Sequence, residues 1–145
     1  MSAVLVECRV FQNPPDAVIR DILATPRRIA VVGCSPDPAR DSHRIAHLLM
    51  ERGHTVIPVH PQAREILGRR CYASLHEVPD GIDMVDVFRR SDDAGAVVDD
   101  AIAAGARVVW LQLGVVDEAA AARAQAAGLT VVMDRCPAIE YRRLF

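Results

Sequence analysis

The sequence predicts an α/β fold, a doubly wound (Rossmann-like), mostly parallel sheet with helices on both faces in a single domain. Three observations carry this. From Arg28 onward, short apolar runs alternate with segments of helical spacing, and such alternation builds right-handed crossovers between parallel strands. The strand runs, such as Ile29-Ala30-Val31-Val32, are continuously apolar, as strands covered on both faces are. Three helical segments end in glycine directly before a strand, at Gly53, Gly105 and Gly128, where a left-handed residue lets the chain reverse without a side-chain clash.

The elements follow in order. Residues 1–12 hold an apolar stretch that suits either a short added strand or a loose arm. A helix start comes next, with Asn13 as cap, Pro14 at the first helical position and Asp16 in the first turn. Val18, Ile19, Ile22 and Leu23 repeat at helical spacing, and Pro26 ends the segment. The first core strand, 29–32, stops at Gly33. After a polar loop, Ser42 or Asp41 caps a helix carrying Ile45, Leu48 and Leu49, and strand character resumes at 55–59. The stretch 62–79 is weaker, with one short helix near Leu75 to Val78. Strand 84–88, helix 91–104, strand 107–111, helix 117–127 and strand 129–133 complete the pattern. The domain spans 1–145, with an N-terminal arm and helix over 1–25 and the core over 28–145.

The chain's 145 residues suffice for one domain with a buried core. With 51% apolar and 25% charged residues the composition is ordinary for a globular domain. A formal net charge of -2 gives no general attraction for nucleic acid or an anionic membrane, so any bound anion is met by local arginines. All 17 basic residues are arginine. Whether base composition or function emptied the chain of lysine, a Walker-type phosphate loop, a Schiff-base amine and a kinase strand lysine are excluded. Cys8, Cys34, Cys71 and Cys136 show no C-x-x-C spacing, so neither a zinc site nor a disulfide framework is expected. Without a signal-peptide pattern or a long apolar run, the expected location is the reducing cytoplasm.

In an open parallel sheet, ligands bind beyond the carboxyl ends of the strands, where the strand order reverses. The first end, Gly33 to Arg44, suits phosphate. Gly33 allows close backbone approach, Ser35 and Ser42 offer hydroxyls, the next helix presents its N-terminus, and Arg40 and Arg44 add forked charge. The alternative is a plain turn with solvated arginines. A dinucleotide of the NAD type fits poorly: Ser35 and Pro38 stand where G-x-G-x-x-G needs glycine. The second strand end, Pro58-Val59-His60-Pro61, also lacks the carboxylate that would meet the ribose hydroxyls. His60 suits a hydrogen bond to a nucleotide or a structural loop equally. Asp134 suits a lone acid or the cap of a turn. Cys34 and Cys136, at strand ends near arginines, suit either reactive thiolates or inert small residues; a thiolate there could form a mixed disulfide with a thiol ligand.

Across residues 29–143 the chain resembles the small bacterial coenzyme A-binding proteins, relatives of the nucleotide-binding domain of the succinyl-CoA synthetase α subunit. The matching stretches are Val31 to Pro36, Val56 to Pro61, Leu67 to Tyr72, Asp86 to Ser91, Val109 to Val115 and Met133 to Pro137. His60 departs from the pattern, which more often has Asn there. The resemblance implies a coenzyme A site in which Gly33, Ser35, Arg40 and Arg44 meet the phosphates, with Cys34 and Ser42 of the same loop among the binding residues. Pro58, Val59, His60 and Pro61 would flank the adenosine, with Phe88, Arg89 and Ser91 opposite, and Gln112 to Gly114 would face the pantetheine arm or form the floor. Phe88 suits the core equally, and Trp110 is expected there. The ligase relatives carry a phosphohistidine on a second domain that this sequence lacks, and none of its histidines sits in a nucleophile–base pattern. The expectation is therefore a stand-alone module that binds coenzyme A or an acyl-CoA in a regulatory or carrier role and is not an enzyme. An NADP-binding oxidoreductase-like domain and a partner subunit of an acyl-CoA ligase or transferase are the alternatives. A small-molecule ligand, no nucleic acid and no membrane are expected as partners; the apolar arm and alanine-rich helix permit a homodimer without requiring one.

Overall fold

The computed structural model describes residues 10–145. The elements run α1 (Asp16–Ala24), β1 (Arg28–Val32), α2 (Asp41–Glu51), β2 (Thr55–Val59), β3 (Glu65–Ile66), β4 (Arg69–Arg70), a 3-10 turn (Leu75–Glu77), β5 (Met84–Val87), α3 (Ser91–Ala103), β6 (Val108–Leu111), α4 (Glu118–Ala126), β7 (Thr130–Val132) and α5 (Pro137–Leu144). The main sheet has five strands in the order β2-β1-β5-β6-β7, and every pair in it is parallel. The doubly wound Rossmann-like fold expected from the alternation is the fold observed.

Strand residues alternate between two apolar layers. Ile29, Val31, Met84 and Trp110 face α1, α2 and α5, meeting Ile19, Leu23, Ile45, Leu49 and Tyr141. Ala30, Val85, Val87, Val109 and Leu111 face α3 and α4, meeting Ala94, Val98, Ala120 and Ala124. Trp110 is fully buried and its indole N–H donates to the Arg135 carbonyl at 2.9 Å. Gly53, Gly105 and Gly128 all take positive φ, the conformation their positions after helices require.

Several local expectations need correction. Asn13 does not cap α1, and Pro14 does not open it: Pro15 occupies the cap and the helix begins at Asp16. Asn13 instead pairs with Met133 just past β7, donating to its carbonyl at 3.0 Å and accepting from its N–H at 2.8 Å. A carboxamide offers one donor and one acceptor side by side, which matches the open backbone of an edge strand. The arm's described end is thereby tied to the sheet, while the expected fate of residues 1–9 lies outside the described residues. Neither Ser42 nor Asp41 caps α2; Arg40 holds the cap position and no side chain accepts there. Two elements were not foreseen. A two-residue hairpin, β3 with β4, turns through Leu67 and Gly68, both at positive φ. Helix α5 starts at Pro137, a residue whose fixed φ suits a first helical position.

Candidate functional site

The strand order changes direction between β1 and β5, because the chain leaves β1 toward β2 on one side and resumes at β5 on the other. Adjacent crossovers then lie on opposite faces and leave a crevice above the carboxyl ends of β1 and β5. Gly33 stands at the first of these ends. Its φ is +87°, and a Cβ there would lie 2.1 Å from the Phe88 carbonyl oxygen and 2.9 Å from the Arg89 guanidinium. The Gly33 N–H donates to the Val59 carbonyl at 2.9 Å, and Phe88 N–H donates to Val32 at 2.9 Å. Glycine is therefore what lets the two strand ends close on each other beneath the crevice.

The crevice is a cleft of about 890 Å³, within the range of roughly 300–1,000 Å³ usual for small-molecule sites. Its walls come from the N-terminal turn of α2, the ends of β5 and β6, and the start of α5. Gly33, Arg40, Ser42, Arg44, Phe88, Arg89 and Gln112 of the expected residues line it. Because no side chain caps α2, its first-turn N–H groups face the same opening as Arg40 and Arg44. An uncapped helix start attracts anions through those donors and the helix dipole. Arg44 is partly engaged, donating to the Ala39 carbonyl at 2.9 Å and pairing with Asp41. Arg90 lies 3.6 Å from Asp93. Among the described residues, the Arg40 and Arg89 guanidiniums have no protein partner and remain available to a ligand.

The other expected residues sit away from the cleft lining. Ser35 is spent on the loop: its N–H donates to Ser42 Oγ at 2.9 Å and its Oγ accepts from Asp37 N–H at 3.1 Å. Ser42 is the second residue within α2, past the cap position held by Arg40. Pro58 and Val59 are buried in β2, whose outer edge is covered by Tyr72: Tyr72 N–H donates to the Pro58 carbonyl at 3.1 Å, and Tyr72 accepts from His60 N–H at 2.9 Å. His60 Nδ1 accepts from Gln62 and Ala63 N–H at 3.1 and 3.2 Å, organising the turn after exposed Pro61. Ser91 Oγ donates to the Gly114 carbonyl at 3.3 Å and accepts from Val116 N–H at 3.0 Å. Asp134, at positive φ, accepts from Gly114 N–H at 2.7 Å and so holds a turn.

The two thiols separate. Cys34 is fully buried, and desolvation pushes its thiol up to about 12, so the reactive thiolate considered for it does not match its surroundings. Cys136 is half-buried and stands at the cap position of α5 without a side-chain cap bond. It lines the cleft with Leu113, from the expected stretch Gln112 to Gly114, and with Asp41, Ile45, Leu48, Arg90, Val115 and Ala138, which the sequence did not mark as site residues. Ile45 and Leu48 carry a signal, an apolar pair at helical spacing, but every helix packed on a sheet shows the same spacing. The start of α5 had none until the helix itself was recognised. Also missed was Asp86, alone in the apolar run of β5. It is fully buried, desolvation pushes it up to about 7, and its Oδ1 accepts from Gln112 Nε2 on the cleft floor.

Among the described residues no cluster of three His, Cys, Asp or Glu side chains could hold a metal, and no helix is long and apolar enough to cross a membrane. The site's elements coincide with what known proteins share with this chain. Residues 27–142 match the family model described as CoA binding domain. YneT of Bacillus subtilis is 42% identical over 126 residues, covering 87% of this chain and 93% of YneT. A solved protein from Pyrococcus horikoshii OT3 superposes with a TM-score of 0.86 at 39% identity, over 94% of this chain and 98% of that one. The ADP-forming acetate–CoA ligase I of Archaeoglobus fulgidus is 34% identical over 86 residues, which cover 50% of this chain and 13% of that ligase. A family match that takes in every strand of the main sheet, with a relative so similar along most of its length, shows that the chain belongs to the CoA-binding domain family.

Proposed function

We propose that the chain binds coenzyme A, or an acyl-CoA, in the β1/β5 cleft as a stand-alone module with a regulatory or carrier role and no chemistry of its own. The observation that carries this reading is the cleft's division of labour. At one end the uncapped start of α2 meets Arg40 and Arg89, which suits phosphates. Toward the other, Leu113, Val115 and Ala138 line an apolar wall around Gln112, which suits a long, mostly apolar arm with a few amides. Of the polar side chains in the cleft, Asp41 pairs with Arg44 and Ser42 accepts from Ser35 N–H.

Calorimetric titration with coenzyme A, acetyl-CoA, NAD and NADP tests the reading. Coenzyme A should bind at micromolar concentration or below, and NAD should not. Tight NADP binding without coenzyme A binding would overturn it in favour of an oxidoreductase-like module. The likeness to the Archaeoglobus ligase supports a second reading, a coenzyme A-holding partner of a ligase chain. Both readings predict that the chain alone, given ATP, acetate and coenzyme A, forms no acetyl-CoA; formation would refute the non-catalytic assignment.

A further inference from the structure

Asp86 lies in the middle of β5, opposite Val31 of β1 and Trp110 of β6. Its Oδ1 accepts from Gln112 Nε2, while Oδ2 is buried without a partner. A buried acceptor left unpaired is destabilising, and more so when charged. Its neighbours on the same face of the sheet, Met84, Val31 and Trp110, are apolar and buried, so packing does not call for a carboxyl. What Asp86 does have is Gln112, nearly buried at the end of β6 and part of the cleft lining. A carboxylate only accepts hydrogen bonds, so it takes the NH2 of the amide. The planar amide then turns its oxygen the opposite way, out toward the cleft.

We propose that Asp86 is a positioning residue that holds the Gln112 amide with its oxygen toward the cleft, so that the ligand segment crossing the end of β6 must bring a hydrogen-bond donor. This rests on the coenzyme A reading. Phosphates offer only acceptors at neutral pH and are turned away from Gln112, whereas the pantetheine arm carries two amide N–H groups and a hydroxyl. The amide's polarity therefore sets the direction in which the ligand lies, with the arm over β6 and the phosphates toward Arg40 and Arg89.

Asp86→Asn keeps the shape and tests the polarity. The asparagine must send one of its two polar atoms to Gln112 and the other to the dead end where Oδ2 now sits. That dead end already holds an oxygen without a partner, so the asparagine oxygen takes the same place, its NH2 turns to Gln112, and the Gln112 amide inverts to present its own NH2 to the cleft. The titration is run at about pH 8, where a carboxyl of about 7 is mostly ionised. Coenzyme A should bind the variant about tenfold or more weakly. Adenosine 3′,5′-bisphosphate, the nucleotide end without the arm, should bind variant and native chain equally. Gln112→Leu should show the same coenzyme A loss, and adding Asp86→Asn to it should cost nothing further. Unchanged coenzyme A affinity, an equal loss for the bisphosphate, or additive losses would each overturn the inference. If Asp86→Asn does not fold, the ligand carries the same test. Of three coenzyme A analogues, each lacking one donor of the arm, one should lose affinity for the native chain but not for Gln112→Leu; no such analogue overturns the inference. A native chain that does not bind coenzyme A overturns the functional reading itself, before any variant is made.

Discussion

A Cβ at position 33 has nowhere to go, because the Phe88 carbonyl oxygen would be 2.1 Å away. The φ of +87° adds a second penalty, about 1–3 kcal/mol for a residue other than glycine in a sparsely populated region. Gly33→Ala should therefore lower unfolding stability by at least about 2 kcal/mol, measured by urea denaturation, and should weaken coenzyme A binding by displacing Phe88 and Arg89 from the cleft floor. Wild-type stability in this variant would show that the two strand ends do not meet as described. The sequence made Gly33 legible as a special position, since a glycine closing an apolar strand marks a ligand-facing turn. It could not tell that the obstructing atom belongs to Phe88, because β5 becomes a neighbour of β1 only in the folded sheet. Ser35 and His60 show the reverse. Each has a side chain suited to a ligand, and each is spent on its own loop, a competition settled by local backbone geometry.

Helix α5 closes one wall of the cleft, and a small polar knot beneath it helps hold it in place. His54 Nδ1 accepts from Arg27 N–H at 3.1 Å, and Tyr141 donates to the Leu23 carbonyl at 3.1 Å while lying 3.0 Å from His54 Nε2. These contacts join α1, the α2–β2 turn and α5. Tyr141→Phe removes the hydroxyl and leaves Leu23 with the imidazole N–H, also at 3.1 Å. The expected cost is about 1 kcal/mol, seen as a lower urea midpoint with an unchanged slope. A loss several times larger would mean that the knot, rather than the apolar face of α5, holds the helix on the sheet. Strands and long helices were legible because their periodicities are strong and their glycine stops are local. Helix α5 and the β3–β4 hairpin were not: an eight-residue helix and a two-residue strand pair carry little periodic signal and depend on tertiary packing.

For the molecule as a whole, two buried groups tilt stability in opposite directions with pH. Desolvation holds the His54 imidazole below its ordinary 6.5. The unfolded chain thus binds that proton more readily, and acidification through that range destabilises the fold. Asp86 does the opposite. Its carboxyl is pushed up from 3.8 to about 7, so between those values the folded state holds the extra proton. Stability falls as pH rises through that window and levels off above it. Asp86→Asn, which carries no charge to bury, should match the native chain near the low end of the window. It should exceed it by roughly 1–3 kcal/mol at about pH 8, measured by denaturation across the series. An equal gap at every pH would show that burial of charge is not its source.

The sequence by itself determined the layered α/β architecture, the glycine-marked strand ends, and the absence of lysine chemistry, because these follow from periodicity, glycine placement and residue type along the chain. The resemblance visible in its motifs pointed to the family that the comparisons then showed. Only the tertiary structure decided which strand ends meet. It drew Gly33, the start of α2, Phe88, Arg89 and Gln112 around one cleft, left the end of β2 outside its lining, and brought in the start of α5. It also set Asp86 beneath Gln112. A strand order of β2-β1-β5-β6-β7 is a property of pairing between distant segments, and the hydrogen bonds that make it run across the sheet, where no local pattern in the chain records them.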